Sequence, residues 1–104
     1  MIELNEDLNT LITESPTLVL QFGEDACGPC HAIRYKLERW LDGKEIEARY
    51  IDIEKNLELC SQIGIFSAPT VIVYMNGQVV ARESGYFSLD AMLERVERYM
   101  EMTA

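Results

Sequence analysis

Basic residues are scarce in this chain. Nine lysines and arginines stand against eighteen aspartates and glutamates, a formal net charge of −9 over 104 residues. A surface that acidic repels polyanions, so neither nucleic acid nor an anionic membrane is an expected partner. The acidity serves solubility. No apolar run approaches the roughly 20 residues that a membrane span requires. The first seven residues, Met1 to Asp7, hold three acids and no base, unlike the positively charged start of a secretory signal. The expected compartment is therefore the cytoplasm. Linkers, repeats and low-complexity tracts are also missing, so residues 1–104 form one domain around one core. Apolar content of 48% and charged content of 26% are ordinary for a globular protein.

The prolines number only three, and each marks a boundary. Ile2 to Leu4 suits a short edge strand. Asn5 then reads as a helix N-cap, with Glu6 and Asp7 in the first turn and Leu8, Leu11 and Ile12 on the apolar face. Ser15-Pro16 ends that helix. Residues 17–22 are apolar except for Thr17 and Gln21, the pattern of a central strand covered on both faces. Ile33, Leu37, Trp40 and Leu41 recur at helical spacing up to Asp42-Gly43. Ile46 to Ile53 is a third strand, and Asn56 opens a short helix to about Ile63, closed by Gly64. Asn76-Gly77 predicts a hairpin pairing residues 71–75 with 78–83, because that dipeptide adopts the turn that matches strand twist. Val79, Arg82 and Glu83 mark its second strand as a partly exposed edge. Ser88 caps a last helix with Leu89, Met92, Leu93, Val96 and Met100 on one face. The order β-α-β-α-β-α-β-β-α implies a mainly parallel sheet between helices, with an antiparallel edge.

Two of the three cysteines fall together as Cys27-Gly28-Pro29-Cys30, where the central strand gives way to a helix. Residues three apart on a first helical turn face the same side, with Cβ atoms about 5–6 Å apart. A small adjustment brings that to the separation a disulfide needs. Pro29 does no harm there, because first-turn N–H groups have no intrahelical partner. Gly28 leaves the surface beside Cys27 open. In a chain that is not exported, a Cys-x-x-Cys pair within βαβ units reads as a catalytic redox motif and not a structural staple.

The motif, Ala68-Pro69-Thr70 before the next-to-last strand, Asn76-Gly77 in the hairpin and Gly85 before the last helix together resemble the thioredoxin family over the whole chain. The resemblance implies an α/β thioredoxin fold, a central five-stranded mixed sheet flanked by four helices. It also implies a cis bond between Ala68 and Pro69 packed against the cysteines, with Ala68, Pro69 and Gly85 as the substrate-binding edge. Cys27 would attack a client disulfide, its thiolate stabilised at the helix N-terminus towards a pKa of roughly 7. Cys30 would resolve the mixed disulfide. The implied partners are disulfide-containing client proteins and a thioredoxin-type reductase. No metal or organic cofactor is required, and the chain is expected to be a monomer.

The sequence departs from the family pattern in five places. Ala26 stands where a tryptophan usually precedes the first cysteine. Gln21 replaces a buried acid, and Tyr50 the basic residue that partners it; losing both avoids a lone buried charge. Gln21 cannot take a proton from Cys30, so the resolving step is expected to be slower. Gly23 replaces an aromatic, and Tyr35 a helix-kinking proline. Glu24 and Asp25 oppose the helix dipole at Cys27. A second function class therefore stays open: a binding module holding its partner at the Ala68-Pro69 edge without turnover. Cys60, among Leu57, Leu59 and Ile63, reads as a buried packing residue. Cys27-x-x-Cys30-His31 also matches a haem-attachment spacing, and Cys27, Cys30, His31 and Cys60 could supply four zinc ligands. Both readings are weaker. Haem attachment would need export and a haem-sized cavity, against the acidic N-terminus and the compact strand-helix context. For zinc, His31 follows Cys30 directly and would point away from the pair.

Overall fold

Five strands and four helices alternate in the expected order in a computed structural model that describes residues 1–103. They are β1 (Ile2–Glu3), α1 (Leu8–Glu14), β2 (Thr17–Gly23), α2 (Gly28–Leu41), β3 (Glu47–Asp52), α3 (Leu57–Gln62), β4 (Thr70–Met75), β5 (Gln78–Ser84) and α4 (Leu89–Thr103). The strands form one sheet in the order β1-β3-β2-β4-β5. Strand β3 runs parallel to β1 and β2, whereas β4 is antiparallel to both β2 and β5. The sheet is thus mixed, with the hairpin on one edge and β1 on the other.

Strand β2 occupies the centre because every residue from Leu18 to Gly23 can be buried. Its alternation sorts two cores. Leu18, Leu20 and Phe22 join Ile51, Ile72 and Cys60, with Leu11, Ile12, Leu59 and Ile63 packed on from α1 and α3. Val19 joins Val71, Val73 and Leu37 on the other face, under Met92, Leu93 and Val96 of α4. The indole Nε1 of Trp40 donates to Glu97 at 2.7 Å, tying α2 to α4.

Some boundaries differ from the sequence expectation. The N-cap of α1 is Asp7 and not Asn5: its carboxylate accepts from the Thr10 amide at 3.0 Å and the Thr10 hydroxyl at 2.9 Å. Glu6 lies outside the helix because its carboxylate pairs with Arg49 of β3 at 3.0 Å. Strand β3 is one residue shorter at each end than the expected Ile46 to Ile53, although the Ile53 amide still donates to the Gly23 carbonyl. Leu57, expected beside Cys60, is 66% exposed. At the hairpin, Asn76 and Gly77 have φ of 52° and 79°, the two positive values of the favoured tight turn.

Gly23 is required by packing and not by its backbone angles. A Cβ there would run into the Tyr50 hydroxyl oxygen and lie 3.0 Å from the ring's Cζ. The aromatic that the family pattern puts at this strand position is absent, and the Tyr50 ring from the neighbouring strand takes the space. Gly23→Ala is expected to cost about 1–3 kcal/mol through overpacking. In a Tyr50→Phe background the cost falls, because the closest atom is gone, and a double-mutant cycle in denaturant measures the coupling. Equal costs in both backgrounds would rule out the clash.

Candidate active site

Beyond Gly23 the chain turns through Glu24 and Asp25, where the Cys27 amide donates to the Glu24 carbonyl at 3.1 Å. Cys27 is the N-cap of α2, with extended backbone, and its Sγ accepts from the Cys30 amide at 3.2 Å. The first turn of a helix leaves such amides without intrahelical partners, so the sulfur occupies the place an Asp or Ser oxygen takes in other helices. Cys27 and Cys30 are joined as a disulfide, with Cα atoms 5.3 Å apart. Their surroundings differ. Cys27 is partly exposed, and Gly28 beside it has nothing within 4 Å of where a Cβ would be. Cys30 is 0% exposed.

Two further segments meet at this end of the sheet. Phe22 of β2 pairs with Thr70, which places Pro69 beside the strand that delivers the cysteines. The Ala68-Pro69 bond is cis. The Gly85 amide donates to the Pro69 carbonyl at 3.0 Å, and the Thr70 hydroxyl bonds the Ser67 carbonyl and the Ser84 hydroxyl. Gly85 itself has φ of 73°, a left-handed conformation that favours glycine. A groove of about 260 Å³ runs from Pro29 and Ile33 on α2 to Gly85, Tyr86 and Phe87. Residues Cys27 to Cys30, Ala68-Pro69 and Gly85 are thereby assembled at one end of the sheet.

A thioredoxin family model matches residues 2–98. The chain belongs to the thioredoxin family. It is 31% identical to the thioredoxin of Bacillus subtilis (strain 168) over 91 residues, 85% of this chain and 86% of that one. It is 36% identical to the thioredoxin of Streptomyces clavuligerus over 75 residues, 71% and 69% of the two chains. Among solved structures, thioredoxin 1 of Thermosipho africanus TCF52B superposes with a TM-score of 0.77 at 27% identity, covering 83% of this chain and 97% of that one. The thioredoxin of Fasciola hepatica gives 0.75 at 28% identity, covering 88% and 89%. Membership and the bonded pair Cys27 and Cys30 make this a thiol–disulfide oxidoreductase, and so an enzyme.

Beneath the site of this thioredoxin-family chain the central residue pair of β2 and β3 is uncharged. Gln21 and Tyr50 are directly paired across β2 and β3, at 0% and 7% exposure. The Gln21 side-chain amide donates to the Cys30 carbonyl at 2.7 Å. The Arg34 guanidinium stacks over the Tyr50 ring at 4.3 Å and donates to the Met1 carbonyl at 2.6 Å. Burial, reinforced by the Asp52 charge and opposed by Arg34, raises the Tyr50 hydroxyl pKa above its usual 10.0. The sequence pattern marked Gln21 and Tyr50 as a pair but contained no sign of Arg34. It also missed Tyr86 and Phe66, fully and 78% exposed beside Gly85 and Ser67. An aromatic next to a motif residue in a loop was the available signal.

His31 is exposed, and its Nε2 lies 3.1 Å from the Asp25 carbonyl oxygen. Cys60 is 1% exposed in the core of α1 and α3, on the opposite sheet face from α2. The four-ligand zinc grouping is therefore not assembled, and among the described residues no three metal-ligating side chains converge. No helix among them is long and apolar enough to cross a membrane. Burial, then the Asp52 charge, raises the Cys60 thiol pKa above 9.0, which keeps it a poor nucleophile.

Cys60→Ala is expected to lower stability by about 1 kcal/mol and to leave disulfide exchange unchanged. Denaturant titration and a turnover assay read the two effects, and a large loss of turnover in a folded variant would put Cys60 in the mechanism. The raised Tyr50 pKa predicts a stability that depends on pH. Its folded-state pKa is raised, so its contribution is complete below about pH 10 and is lost as pH rises through the folded value. Tyr50→Phe should flatten part of this alkaline decline, measured between about pH 8 and about pH 11. An unchanged slope would show that Tyr50 ionises alike in the folded and unfolded chains.

Proposed function

We propose that this chain reduces disulfides of client proteins, with Cys27 as attacking sulfur and Cys30 as resolving sulfur. The observation that carries the assignment is the asymmetry of the pair. Cys27 is partly exposed at a helix N-terminus with an amide aimed at its sulfur, while Cys30 is completely buried one turn further on. A thiolate in the first position is stabilised by the dipole and the free amides. It attacks one client sulfur, forming a Cys27–client bond and releasing the other client sulfur as thiolate. The Cys30 thiol then loses its proton and attacks the Cys27 sulfur, releasing the second client thiol and leaving the Cys27–Cys30 disulfide. Two electrons have passed to the client, and a thioredoxin-type reductase returns two to the chain.

Ala68, Pro69 and Gly85 form the edge along which the client strand lies, with Pro29 and Tyr86 at the adjoining groove. A flat indole is absent at Ala26, and the exposed rings of Tyr86 and Phe66 supply apolar surface on the other side. The acidic groups Glu24 and Asp25 beside Cys27 favour clients with a basic or neutral flank. The chain works as a monomer in the cytoplasm and contributes to electron transport in redox homeostasis. Its net charge argues against nucleic acid or an anionic membrane as partner.

Cys30→Ser should accumulate mixed disulfides with clients that dithiothreitol releases, because the second thiol exists to break them. Cys27→Ser should trap none. Partner capture by the Cys27→Ser/Cys30→Ser double variant, undiminished under reducing conditions, would instead establish a binding module whose cysteines are dispensable.

A further inference from the structure

Gln21 is a polar side chain among mostly apolar neighbours. On its face of the sheet it has Val19 along its own strand, and Tyr50 and Val71 directly across on the neighbouring strands. It is 0% exposed. Its Nε2 donates to the Cys30 carbonyl at 2.7 Å. A carbonyl oxygen can only accept, so the amide nitrogen must face Cys30 and the orientation of the group is settled. The other end, Oε1, is buried with no hydrogen-bond partner among the protein groups. A buried acceptor is costly to leave unsatisfied, so a donor within the protein would be favoured there.

The missing donor is one that the disulfide cannot supply. With Cys27 and Cys30 bonded to each other, neither sulfur carries a hydrogen. Reduction adds two electrons and two protons, breaks the S–S bond and forms two S–H groups. Cys27 is partly exposed to water. The Cys30 thiol is a fully buried donor, on the same residue whose carbonyl Gln21 already holds.

We propose that Gln21 is a positioning residue for the redox step, its Oε1 accepting the Cys30 Sγ–H once the pair is reduced. One amide then grips Cys30 at two points in the dithiol and at one in the disulfide. The hydrogen bond stabilises the reduced state selectively, because the disulfide has no S–H to donate. The inference rests on the redox activity of the pair and not on which sulfur attacks first.

The test is equilibration of the wild type and Gln21→Met with a glutathione buffer. Methionine matches the length of the glutamine side chain and has no comparable donor or acceptor. A net hydrogen bond from a weak thiol donor should shift the protein–glutathione equilibrium by about three- to tenfold. Loss of the acceptor moves it towards the oxidised protein, making the variant more reducing by about 15–30 mV. Denaturant unfolding of both redox states should show the substitution acting more unfavourably on the dithiol than on the disulfide. Gln21→Leu repeats the measurement if the methionine variant folds poorly. A glutathione equilibrium constant unchanged within twofold, or equal effects on both redox states, would overturn the proposal; a water bound to Oε1 in both states produces that result. Glutathione replaces the client here, so failure of the Cys30→Ser trapping would leave this inference standing.

Discussion

The pairing of β2 on both of its edges is the constraint on which the rest of the molecule depends. Its residues bond in parallel register to β3 and antiparallel to β4, and its two faces supply both cores. A strand buried on both faces and paired on both edges has no freedom to slip, since a shift of one residue would exchange its faces. Its last residue, Gly23, is therefore in a fixed place, and Cys27 follows within one turn. The antiparallel partner β4 starts beside the end of β2, which brings Pro69 to the same end. The site is built at a rigid strand terminus from loops that the sheet register aligns.

The uncharged pair under the cysteines follows from packing and electrostatics together. Gln21 and Tyr50 lie side by side without a formal charge, so neither incurs the desolvation cost of a buried ion. Tyr50 also fills the room over Gly23, and Arg34 covers the ring from α2. These residues come from three different elements and are mutually dependent. The glycine makes space for the tyrosine, and the arginine gives its buried ring a cationic neighbour while using the Met1 carbonyl as a further acceptor. The same exchange leaves Gln21 with half of its amide unbonded next to the redox pair.

The difference between the two sulfurs is a consequence of helix geometry at a sheet edge. The N-cap lies outside the helix and keeps access to solvent, whereas a residue three positions on turns back towards the sheet. Identical side chains thus come to occupy unlike environments, and the exposed one is the one beside unpaired amides. Cys60 is chemically the same group again, but burial among aliphatic side chains makes it a packing residue.

Much of this was legible in the chain. The apolar run through β2, the helical spacing of Ile33 and Leu37, the Asn76-Gly77 turn and the Ser88 cap, which holds the Ala91 amide at 3.1 Å, are local signals. Each depends on backbone preferences or on periodicity within a few residues. The Cys27-Gly28-Pro29-Cys30 motif is likewise a local arrangement on one helical turn. What the sequence could not determine were choices made between distant residues: Glu6 went to Arg49 and left the cap to Asp7. Tyr50 came to rest over Gly23, Arg34 over Tyr50, and Gln21 against the Cys30 carbonyl. Such contacts are decided by competition among side chains far apart in the chain, and only tertiary packing brings them within reach of one another. The sequence by itself determined which segments fold and where the reactive pair lies; the folded sheet decided which polar groups stand beside that pair, because their partners are set by strand register and not by sequence distance.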